Sequence, residues 1–523
     1  MSSESQVESP DLPDHIDAAV LKIAGVVVLG AIMSILDITV VNVALPTFQK
    51  EFDVSEYSTV AWSITAYTLA LAAVIPITGW AADRFGTKRL YMTAIGLFVA
   101  GSVLCAAAWD ISALIGFRVL QGLGGGMIMP LGMTIMTKAA GPHRMGRLMA
   151  ILGIPMMLGP IMGPILGGWL IGNASWHWIF LINAPLGIAA LVYAYLVLPK
   201  DTPEPSESFD FLGMAMMSPG LALFLYGVSS VPGEGTVLAS KVLIPAFAGA
   251  LLITAFVFHS FRPEHPLLDL RLYRDRNLTV ATITMFLFAA AFFGGLLLVP
   301  TYFQEVRGES VLNAGLLVAP QGIGAMLTMP IAGTLTDRMP VGRIVPFGLI
   351  GIVIGMFGLT QVEADTPYWQ LIGWLFVMGL GMGGTMMPLF TSALKTLTEH
   401  QVARGSTLLN VTQQIASSVG VALMSVILTA GFKASDAVTA AQEVAHAKQS
   451  GSPPPSDAAK VVQSLGDTFQ AVVHTDMAEA FAHTYWVAWS LVLLTIVPAL
   501  FLPRKREVSH LLDDEGVPPV AVH

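Results

Sequence analysis

The stretch that decides the fold is Ser34-Ile35-Leu36-Asp37-Ile38-Thr39-Val40-Val41-Asn42-Val43-Ala44-Leu45-Pro46. It ends a long apolar run that begins near Val20. Asp37 follows Lys22 by about 22 Å along a helix that rises ~1.5 Å per residue. That distance places the carboxylate beyond the middle of a ~30 Å hydrocarbon core. Because a charge at this depth is costly, it predicts a functional site. The alternative is an aspartate that only hydrogen-bonds helices together.

One face of this first helix is small or polar. On helical spacing it consists of Gly30, Ser34, Asp37, Val41 and Ala44. Such a face predicts contact with other helices or with a wet cavity rather than with lipid.

The composition is that of a membrane protein. Of 523 residues, 54% are hydrophobic and only 12% are charged, and the mean hydropathy is +0.70. A soluble domain carries about 25% charged residues. The single cysteine, Cys105, excludes a disulfide framework and a cysteine-based metal site. No basic patch is interleaved with aromatic residues, so binding of nucleic acid is not predicted.

The apolar blocks predict an all-α polytopic protein with fourteen membrane helices. Their predicted ranges are 19–45, 57–80, 89–108, 111–137, 147–172, 176–198, 211–230, 241–261, 277–303, 313–335, 343–362, 368–395, 405–431 and 480–502. The connection 432–479 is rich in Ala, Ser, Gly and Pro. We expect it to be mobile or loosely packed, although parts could form short helices.

An internal repeat predicts two related halves. The sequence Gly79-Trp80-Ala81-Ala82-Asp83-Arg84 returns as Gly333-Thr334-Leu335-Thr336-Asp337-Arg338. A second repeat with a similar offset links 124–131 to 382–389. Two related halves with a site between them are common in transporters. The predicted parts are a tail 1–18, a bundle 19–198, two inserted helices 211–261, a bundle 277–502 that includes the loop 432–479, and a tail 503–523.

Most of the 26 lysines and arginines fall in connections on the side of the N-terminal tail. The excess of basic residues on cytoplasmic loops predicts that this side is cytoplasmic, with both chain ends there. Asp37 and Arg118 are the two charges left at membrane depth.

The connection after the second helix contains Gly79, Asp83, Arg84, Gly86, Lys88 and Arg89. Gly86 allows a sharp turn. Asp83 could cap the next helix or pair with a cation of a neighbouring helix, which would form a latch between conformations. The alternative is a simple topology signal, which would need only the basic residues.

Arg118 opens the fourth helix and shares a face with Gln121 and Gly122. A buried guanidinium needs a partner, and Asp37 is one candidate. The alternative, that Arg118 snorkels to the membrane surface, stays open from the sequence.

The fifth helix carries a repeated glycine and proline array of Gly159, Pro160, Gly163, Pro164, Gly167 and Gly168. Glycines four residues apart form a smooth stripe that lets two helices approach closely. The prolines bend the helix. A kinked and closely packed helix suits a hinge or a seal, whereas the alternative is ordinary helix packing.

Further polar side chains fall inside predicted helices and either bridge helices or line a substrate cavity. They are Asn42, Tyr67, Gln121, Gln321, Asn410, Gln413 and Gln414, and Asp37 is also a candidate cavity residue.

The sequence carries no convincing enzyme motif. Gly379-x-Gly381-x-x-Gly384 has the letters of a dinucleotide site but lies in a membrane helix. We expect no enzyme activity, no metal and no cofactor.

Together these motifs resemble the major facilitator superfamily, in particular its fourteen-helix drug:proton antiporters of the EmrB/QacA type. The resemblance covers residues 18–505 and implies two six-helix bundles with two inserted helices. It implies that Asp37 is the proton-coupling carboxylate and Arg118 its relay partner. Thr87 and His177 depart from the family pattern, which usually has arginine at both positions.

The resemblance also implies the function. The expected activity is multidrug efflux of hydrophobic, amphiphilic or cationic compounds across a bacterial inner membrane, driven by the proton gradient. The expected partners are these small molecules, protons and membrane lipids; a periplasmic or envelope partner stays open. One alternative is export of an endogenous lipid, siderophore or amphiphile with drug efflux incidental. The other is a sensor or assembly partner that does not transport.

Overall fold

A computed structural model describes residues 16–54, 57–200, 208–234, 236–450 and 453–505. Within these ranges the chain is helical and contains no strand, so the predicted all-α class is confirmed. Of the two predicted tails, residues 1–15 and 506–523 lie outside the described residues.

The N-terminal half contains seven α-helices within the described ranges. They are α1 (Ala18–Glu51), α2 (Tyr57–Val74), α3 (Thr78–Phe85), α4 (Thr87–Ala106), α5 (Ile111–Asn173), α6 (His177–Leu181) and α7 (Asn183–Val197). Two of these helices have an aspartate as N-cap. Asp17 accepts from the Val20 amide at 2.8 Å, and Asp110 accepts from the Ala113 amide at 2.7 Å. Such N-caps satisfy amides that have no partner within the helix.

The insertion and the C-terminal half follow. The insertion contains α8 (Phe211–Ser229), α9 (Val231–Glu234) and α10 (Ser240–His259). The C-terminal half contains α11 (Arg276–Glu305), α12 (Val311–Arg338), α13 (Val341–Leu359), α14 (Tyr368–Gly383), α15 (Met386–Lys395), α16 (Glu399–Ala434), α17 (Asp436–Ser450), α18 (Ser456–Leu465) and α19 (Phe469–Ala499).

The helix α5 is too long to be one membrane crossing. Its 63 residues would measure about 95 Å if straight, three times a hydrocarbon core. In its first limb, which we define as residues 111–140, Arg118 contacts Asp37 and Gly132 lies against Val27. The later residue of this limb therefore contacts the earlier residue of α1, which means that the limb and α1 run antiparallel.

The second limb of α5, residues 147–173, runs in the opposite direction. Gly159 lies against Ile35 of α1, and Gly167 lies against Val40. Here the later residue of the limb contacts the later residue of α1, so this limb runs parallel to α1. The chain therefore reverses between the two limbs, although its residues stay helical throughout. The two separate helices predicted at 111–137 and 147–172 are two passes of one continuous helical segment.

Thirteen helices among the described residues are long and apolar enough to cross a membrane. These thirteen helices include the first limb of α5 but not the second. Because the second limb packs along α1, we count it as a further membrane crossing. Six passes then lie in each half and two in the insertion, as predicted. The chain is a multi-pass membrane protein.

The turn after the second pass is shorter than predicted. Residues 79–85, which the sequence placed in a connection, are helical and belong to α3. The break is confined to Gly86, whose φ of 92° is unfavourable for residues with a side chain. Asp83 does not cap α4, whose N-cap is Gly86 with no side-chain bond.

The described part of the connection 432–479 forms short helices, as the sequence allowed; its two ends pack on the core, whereas residues 453–467 are mostly exposed. It forms α17, α18 and the first turns of α19. Val438, Val473 and Met477 are buried in the main apolar core. Regular spacing of small apolar residues, such as Ala437 and Ala440, supplies the face that packs.

We name the two ends of the bundle after Gly86 and Gly308, which lie in turns at opposite ends. The two halves meet at the Gly86 end, where Thr134 Oγ1 lies 3.0 Å from Ser406 Oγ. The insertion packs beside this contact, because α8 touches both α2 and α16. Trp62 of α2 stacks on Tyr226 of α8 with ring centroids 5.4 Å apart.

Candidate functional site

Asp37 lies inside the N-terminal half, and its side chain has no exposed surface. Arg118 Nη1 donates to Oδ2 at 2.5 Å. Gln121 Nε2 donates to Oδ1 at 2.7 Å, and Asn183 Nδ2 donates to the same oxygen at 3.2 Å. Three side chains from α5 and α7 thus donate to the carboxylate of α1. A buried ionised carboxylate needs such donors.

Arg118 is fully buried, so it does not snorkel. Besides Asp37, it donates from Nε to the Ser63 carbonyl at 2.9 Å and from Nη1 to Gln121 Oε1 at 2.7 Å. Its guanidinium carbon lies 4.1 Å from the centre of the Tyr67 ring. The contact between Arg118 and Asp37, which the sequence left open, is therefore direct. Nη2 has no hydrogen-bond partner in the described part of the chain.

Two glycines allow the helices of this site to approach. A Cβ at Gly101 of α4 would lie 2.6 Å from Gln121 Cα, and one at Gly122 of α5 would collide with the Tyr67 carbonyl. Only glycine fits such approaches without displacing the backbone. The close packing places Gln121 and Tyr67 next to the ion pair.

Sequence reasoning missed Asn183 and Ser102. Asn183 Nδ2 also lies 3.1 Å from Ser102 Oγ, and Ser102 Oγ donates to the Phe180 carbonyl at 2.9 Å. Both side chains are buried. A signal was available, since Asn183 is a lone amide in the apolar run 178–198. A polar side chain in such a run indicates a buried partner.

An apolar cluster covers the site towards the Gly308 end. Phe180 lies 5.8 Å from the Arg118 guanidinium and stacks on Phe48, which contacts Trp176 edge-on. Cys105 belongs to the same cluster, and its Sγ lies 3.6 Å from Gln121 Oε1. A dry surrounding strengthens the electrostatic interaction of the ion pair.

The remaining candidate cavity residues lie in different surroundings. Tyr67 and Gln121 are buried beside Arg118, and Gln321 is buried in the C-terminal half. Asn42 is exposed. Asn410, Gln413 and Gln414 are half-buried on α16. The structure therefore brings together Asp37, Tyr67 and Gln121, and it leaves the C-terminal amides apart from them.

The predicted latch residues contact the other half. Asp83 Oδ2 lies 3.4 Å from Arg404 Nε of α16, and a Cβ at Gly79 would lie 3.3 Å from Arg404 Cα. Lys88 instead donates to the carbonyls of Tyr195 and Leu198 at the end of α7, each at 2.7 Å. Arg84 is half-buried, and Arg89 is exposed.

The repeat of this motif makes the reciprocal contact. Asp337 Oδ1 accepts from the Gly146 amide at 2.7 Å, and Oδ2 accepts from Arg147 Nε at 2.8 Å. A Cβ at Gly333 would lie 2.6 Å from the Gly146 carbonyl. Each half therefore places its own motif aspartate on an arginine of the other half. The partners Arg147 and Arg404 were not predicted.

The glycine array of the second limb of α5 packs on α1. Gly159, Gly163 and Gly167 lie against Ile35, Thr39 and Val40, one contact per helical turn. Gly168 faces open space. The side chains of Pro160 and Pro164 lie outside the described residues.

A family model described as Major Facilitator Superfamily matches residues 27–421. The chain belongs to the major facilitator superfamily.

Two relatives place this superfamily member among proteins named for drug resistance. It is 48% identical over 505 residues to a multidrug resistance protein B homolog of Mycobacterium tuberculosis (strain H37Rv), covering 95% of this chain and 92% of that protein. It is 31% identical over 404 residues to the multidrug export protein EmrB of Haemophilus influenzae, covering 76% and 78%.

A solved structure supports the fold. The major facilitator superfamily proton:xylose symporter XylE matches with a TM-score of 0.58 at 15% identity, covering 92% of this chain and 95% of that one. At this identity the likeness concerns the fold alone.

In this superfamily member Arg118, Gln121 and Asn183 all donate to the buried Asp37 carboxylate, and such charge-assisted bonds are the strong ones. A proton that binds Asp37 would cancel one charge of the pair and leave Arg118 buried without its counterion. Within the described ranges, no three His, Cys, Asp or Glu side chains are grouped to hold a metal.

Proposed function

We propose that this protein is a proton-coupled multidrug antiporter that exports hydrophobic, amphiphilic or cationic compounds by alternating access. The names of the two relatives support the substrate class, and the family supports transport. The observation that carries proton coupling is the buried Asp37–Arg118 pair. An ion pair that is fully desolvated contributes little net stability, so its presence favours a functional role.

The geometry favours indirect coupling. Asp37 has no exposed surface in this conformation, and the side chains that donate to it come from its own half. Direct contact of a substrate with Asp37, which its predicted place in a substrate cavity would require, does not fit this packing. Protonation would instead weaken the bonds from Arg118, Gln121 and Asn183, and so free α1 to move against α5. A substrate would respond to that movement at the exposed and half-buried polar positions, Asn42, Asn410, Gln413 and Gln414.

The conformation is closed at the Gly86 end. Both motif aspartates, Asp83 and Asp337, pair there with arginines of the opposite half. We propose that this end is cytoplasmic, because the connections on its side carry most of the basic residues. The two ion pairs would then act as latches that break when the cavity opens to the cytoplasm.

The remaining proposals follow from this orientation. The protein would lie in a bacterial inner membrane with both chain ends in the cytoplasm, and its functional parts would be 19–198, 211–261 and 277–502. Its partners would be small amphiphilic or cationic molecules, protons and lipids. It would need no cofactor, since the proton gradient supplies the energy.

The test is Asp37→Asn in proteoliposomes with an imposed proton gradient. We expect the variant to insert and fold, because asparagine keeps the shape, and to lose gradient-driven efflux of the cationic dye ethidium. The matched control is Asp457→Asn, whose carboxylate is exposed beside Lys460. It should transport like the unmodified protein.

Two results would count against the proposal. Normal gradient-driven efflux by Asp37→Asn would remove the carboxylate from the coupling step. Absence of any dye-driven proton flux in the unmodified protein, with dye binding intact, would favour a sensor or assembly partner instead.

A further inference from the structure

Asn183 occupies a position between the coupling carboxylate and a hydroxyl group. Its amide nitrogen lies 3.2 Å from Asp37 Oδ1 and 3.1 Å from Ser102 Oγ. Because that nitrogen carries two hydrogens, it can donate one to each oxygen. Asn183 is 2% exposed, so no bulk water competes for these bonds.

The other amide at the carboxylate, Gln121, is locked in one orientation. Its Oε1 accepts from Arg118 Nη1 at 2.7 Å, while its Nε2 donates to Asp37. An arginine has no acceptor atom. If the Gln121 amide rotated by half a turn, its NH₂ group would face the N–H of Arg118, donor against donor. Gln121 can therefore only donate to Asp37 and cannot accept a carboxyl hydrogen.

Asn183 has no such restriction, because its second partner is a hydroxyl. A serine hydroxyl both donates and accepts. In the present arrangement Ser102 accepts from Asn183 and donates to the Phe180 carbonyl. If the Asn183 amide inverted, Ser102 could turn its hydrogen towards the amide oxygen. The inversion would then cost the bond from Ser102 Oγ to the Phe180 carbonyl.

We propose that Asn183 is a positioning residue that serves both protonation states of Asp37 by inverting its amide against Ser102. With Asp37 ionised, the Asn183 NH₂ group donates to the carboxylate. With Asp37 protonated, the Asn183 oxygen accepts the new carboxyl hydrogen, and Ser102 donates to the same oxygen. The proton comes from solution, and no covalent bond other than the O–H of Asp37 forms. This inference rests on the proposed role of Asp37 in proton coupling.

Among the described residues, three other charged or titratable groups face Asp37 and act on its electrostatic environment in both protonation states. They are Arg118 from α5, Tyr67 from α2 and Cys105 from α4. The second limb of α5 carries no titratable side chain from 148 to 173. The titratable side chains of α6 and α7 have other contacts. His177 stacks on Trp176, Tyr193 lies against Gly25, and Tyr195 lies beneath the Lys88 ammonium group.

The first test compares Asn183→Leu and Asn183→Asp with Asn173→Leu. Asn173 is an exposed amide at the end of α5, and its Nδ2 donates to the Trp169 carbonyl of the same helix. The measurement is proton release from the purified, detergent-solubilised protein on addition of ethidium, recorded with a pH indicator over a range of pH. Dye binding and thermal unfolding are measured on the same samples.

We expect Asn183→Leu to raise the pH of half-maximal proton release by about one unit, because the ionised carboxylate loses a stronger bond than the protonated one does. Asn183→Asp should raise it further, since two adjacent carboxyl groups share a proton. Asn173→Leu should leave it unchanged.

The second test observes the inversion itself. An infrared difference spectrum between high and low pH should show the C=O stretch of protonated Asp37, identified by its loss in Asp37→Asn. We expect Asn183→Leu to shift this band to higher frequency, because the carboxyl hydrogen loses its acceptor.

The outcomes separate the two proposals. If the unmodified protein releases no proton, or Asp37→Asn releases as many, the coupling role of Asp37 fails. If those two behave as proposed while both Asn183 variants bind dye and keep the original pH midpoint, the positioning role of Asn183 is wrong. An unshifted infrared band in Asn183→Leu would also overturn it. If Asn183→Leu does not fold, the nearly isosteric Asn183→Asp decides.

Discussion

The guanidinium of Arg118 does more than neutralise Asp37. One plane of donors reaches the carboxylate, Gln121 and the Ser63 carbonyl, while its face lies on the Tyr67 ring. An ammonium group supplies a point charge and cannot reproduce this fork or stack in the same way. The shape of the group, as well as its charge, is therefore used by the site.

Arg118→Lys tests this at the residue scale. We expect the variant to keep a positive charge but to lose the bonds to Ser63 and Gln121, and gradient-driven ethidium efflux should fall at least tenfold. Loss of two buried hydrogen bonds, at roughly 1 kcal/mol each or more, accounts for that factor. The measurement is the initial rate in proteoliposomes.

The control for this substitution is Arg504→Lys, at an exposed arginine beyond α19. Its efflux rate should match that of the unmodified protein. An unimpaired Arg118→Lys would mean that charge alone is sufficient at this position.

The residues of the site differ in how visible they are in the sequence. Asp37 and Arg118 could be predicted because charges at membrane depth are costly. Their contact could not, because it depends on the rotation and relative depth of two separate helices. Asn183 and Ser102 were missed because a single amide or hydroxyl in an apolar helix also occurs as simple interhelical packing.

At the scale of elements, the second limb of α5 and α1 pack through glycines. A Cβ at Gly163 would lie 2.4 Å from Thr39 Cβ and would also collide with Thr39 Oγ1. The Thr39 hydroxyl bonds the Leu36 carbonyl at 3.0 Å, so the side chain is not free to turn away. The limb must therefore move if this position gains a methyl group.

Gly163→Ala tests the packing of α1 on this limb. We expect the free energy of unfolding to fall by about 1–3 kcal/mol, the usual effect of overpacking, with a lower melting temperature in detergent. Because α1 carries Asp37, the efflux rate should fall as well.

Gly168→Ala provides the matched control, because it adds the same methyl group to the same array where nothing lies within 4 Å. Its stability should be unchanged or slightly higher, since alanine favours helix. Equal effects of the two substitutions would mean that the glycine stripe has no role in close packing.

Helix positions could be predicted from the apolar blocks, but two connections could not. Residues 138–146 hold Lys138, Arg144 and glycines, which suggested a loop, yet they remain helical through the reversal. The segment 436–450 is polar enough to resemble a loop, yet it is the helix α17 and packs against α19. In both cases tertiary contact overrides the local sequence signal.

On the scale of the molecule, the internal repeat explains the two ion pairs between the halves but not the Asp37–Arg118 pair. The motifs at Gly79 and Gly333 place Asp83 and Asp337 on arginines of the opposite half. The spacing that separates Gly79 from Gly333 also separates Tyr67 from Gln321. Tyr67 lies on the Arg118 guanidinium, whereas Gln321 Oε1 has no hydrogen-bond partner among the described residues. Among the described residues the contact between the halves is thus built twice, and the fully buried ion pair is built once.

Closure at the Gly86 end can be tested by tying the halves together there. Thr134 Oγ1 and Ser406 Oγ are 3.0 Å apart, close enough for cysteines at these positions to meet disulfide geometry. Thr134→Cys with Ser406→Cys, in a Cys105→Ser background that removes the only native thiol, should form a disulfide on oxidation.

That disulfide should stop ethidium efflux, because alternating access requires the halves to separate on the side where substrate enters. A thiol reductant should restore the rate to that of the reduced double variant, which separates the crosslink from any effect of the substitutions. Each single cysteine variant should be insensitive to oxidant. Efflux that persists when the crosslink is complete would show that the halves need not part at the Gly86 end, and the latches at Asp83 and Asp337 would then be static contacts rather than gates.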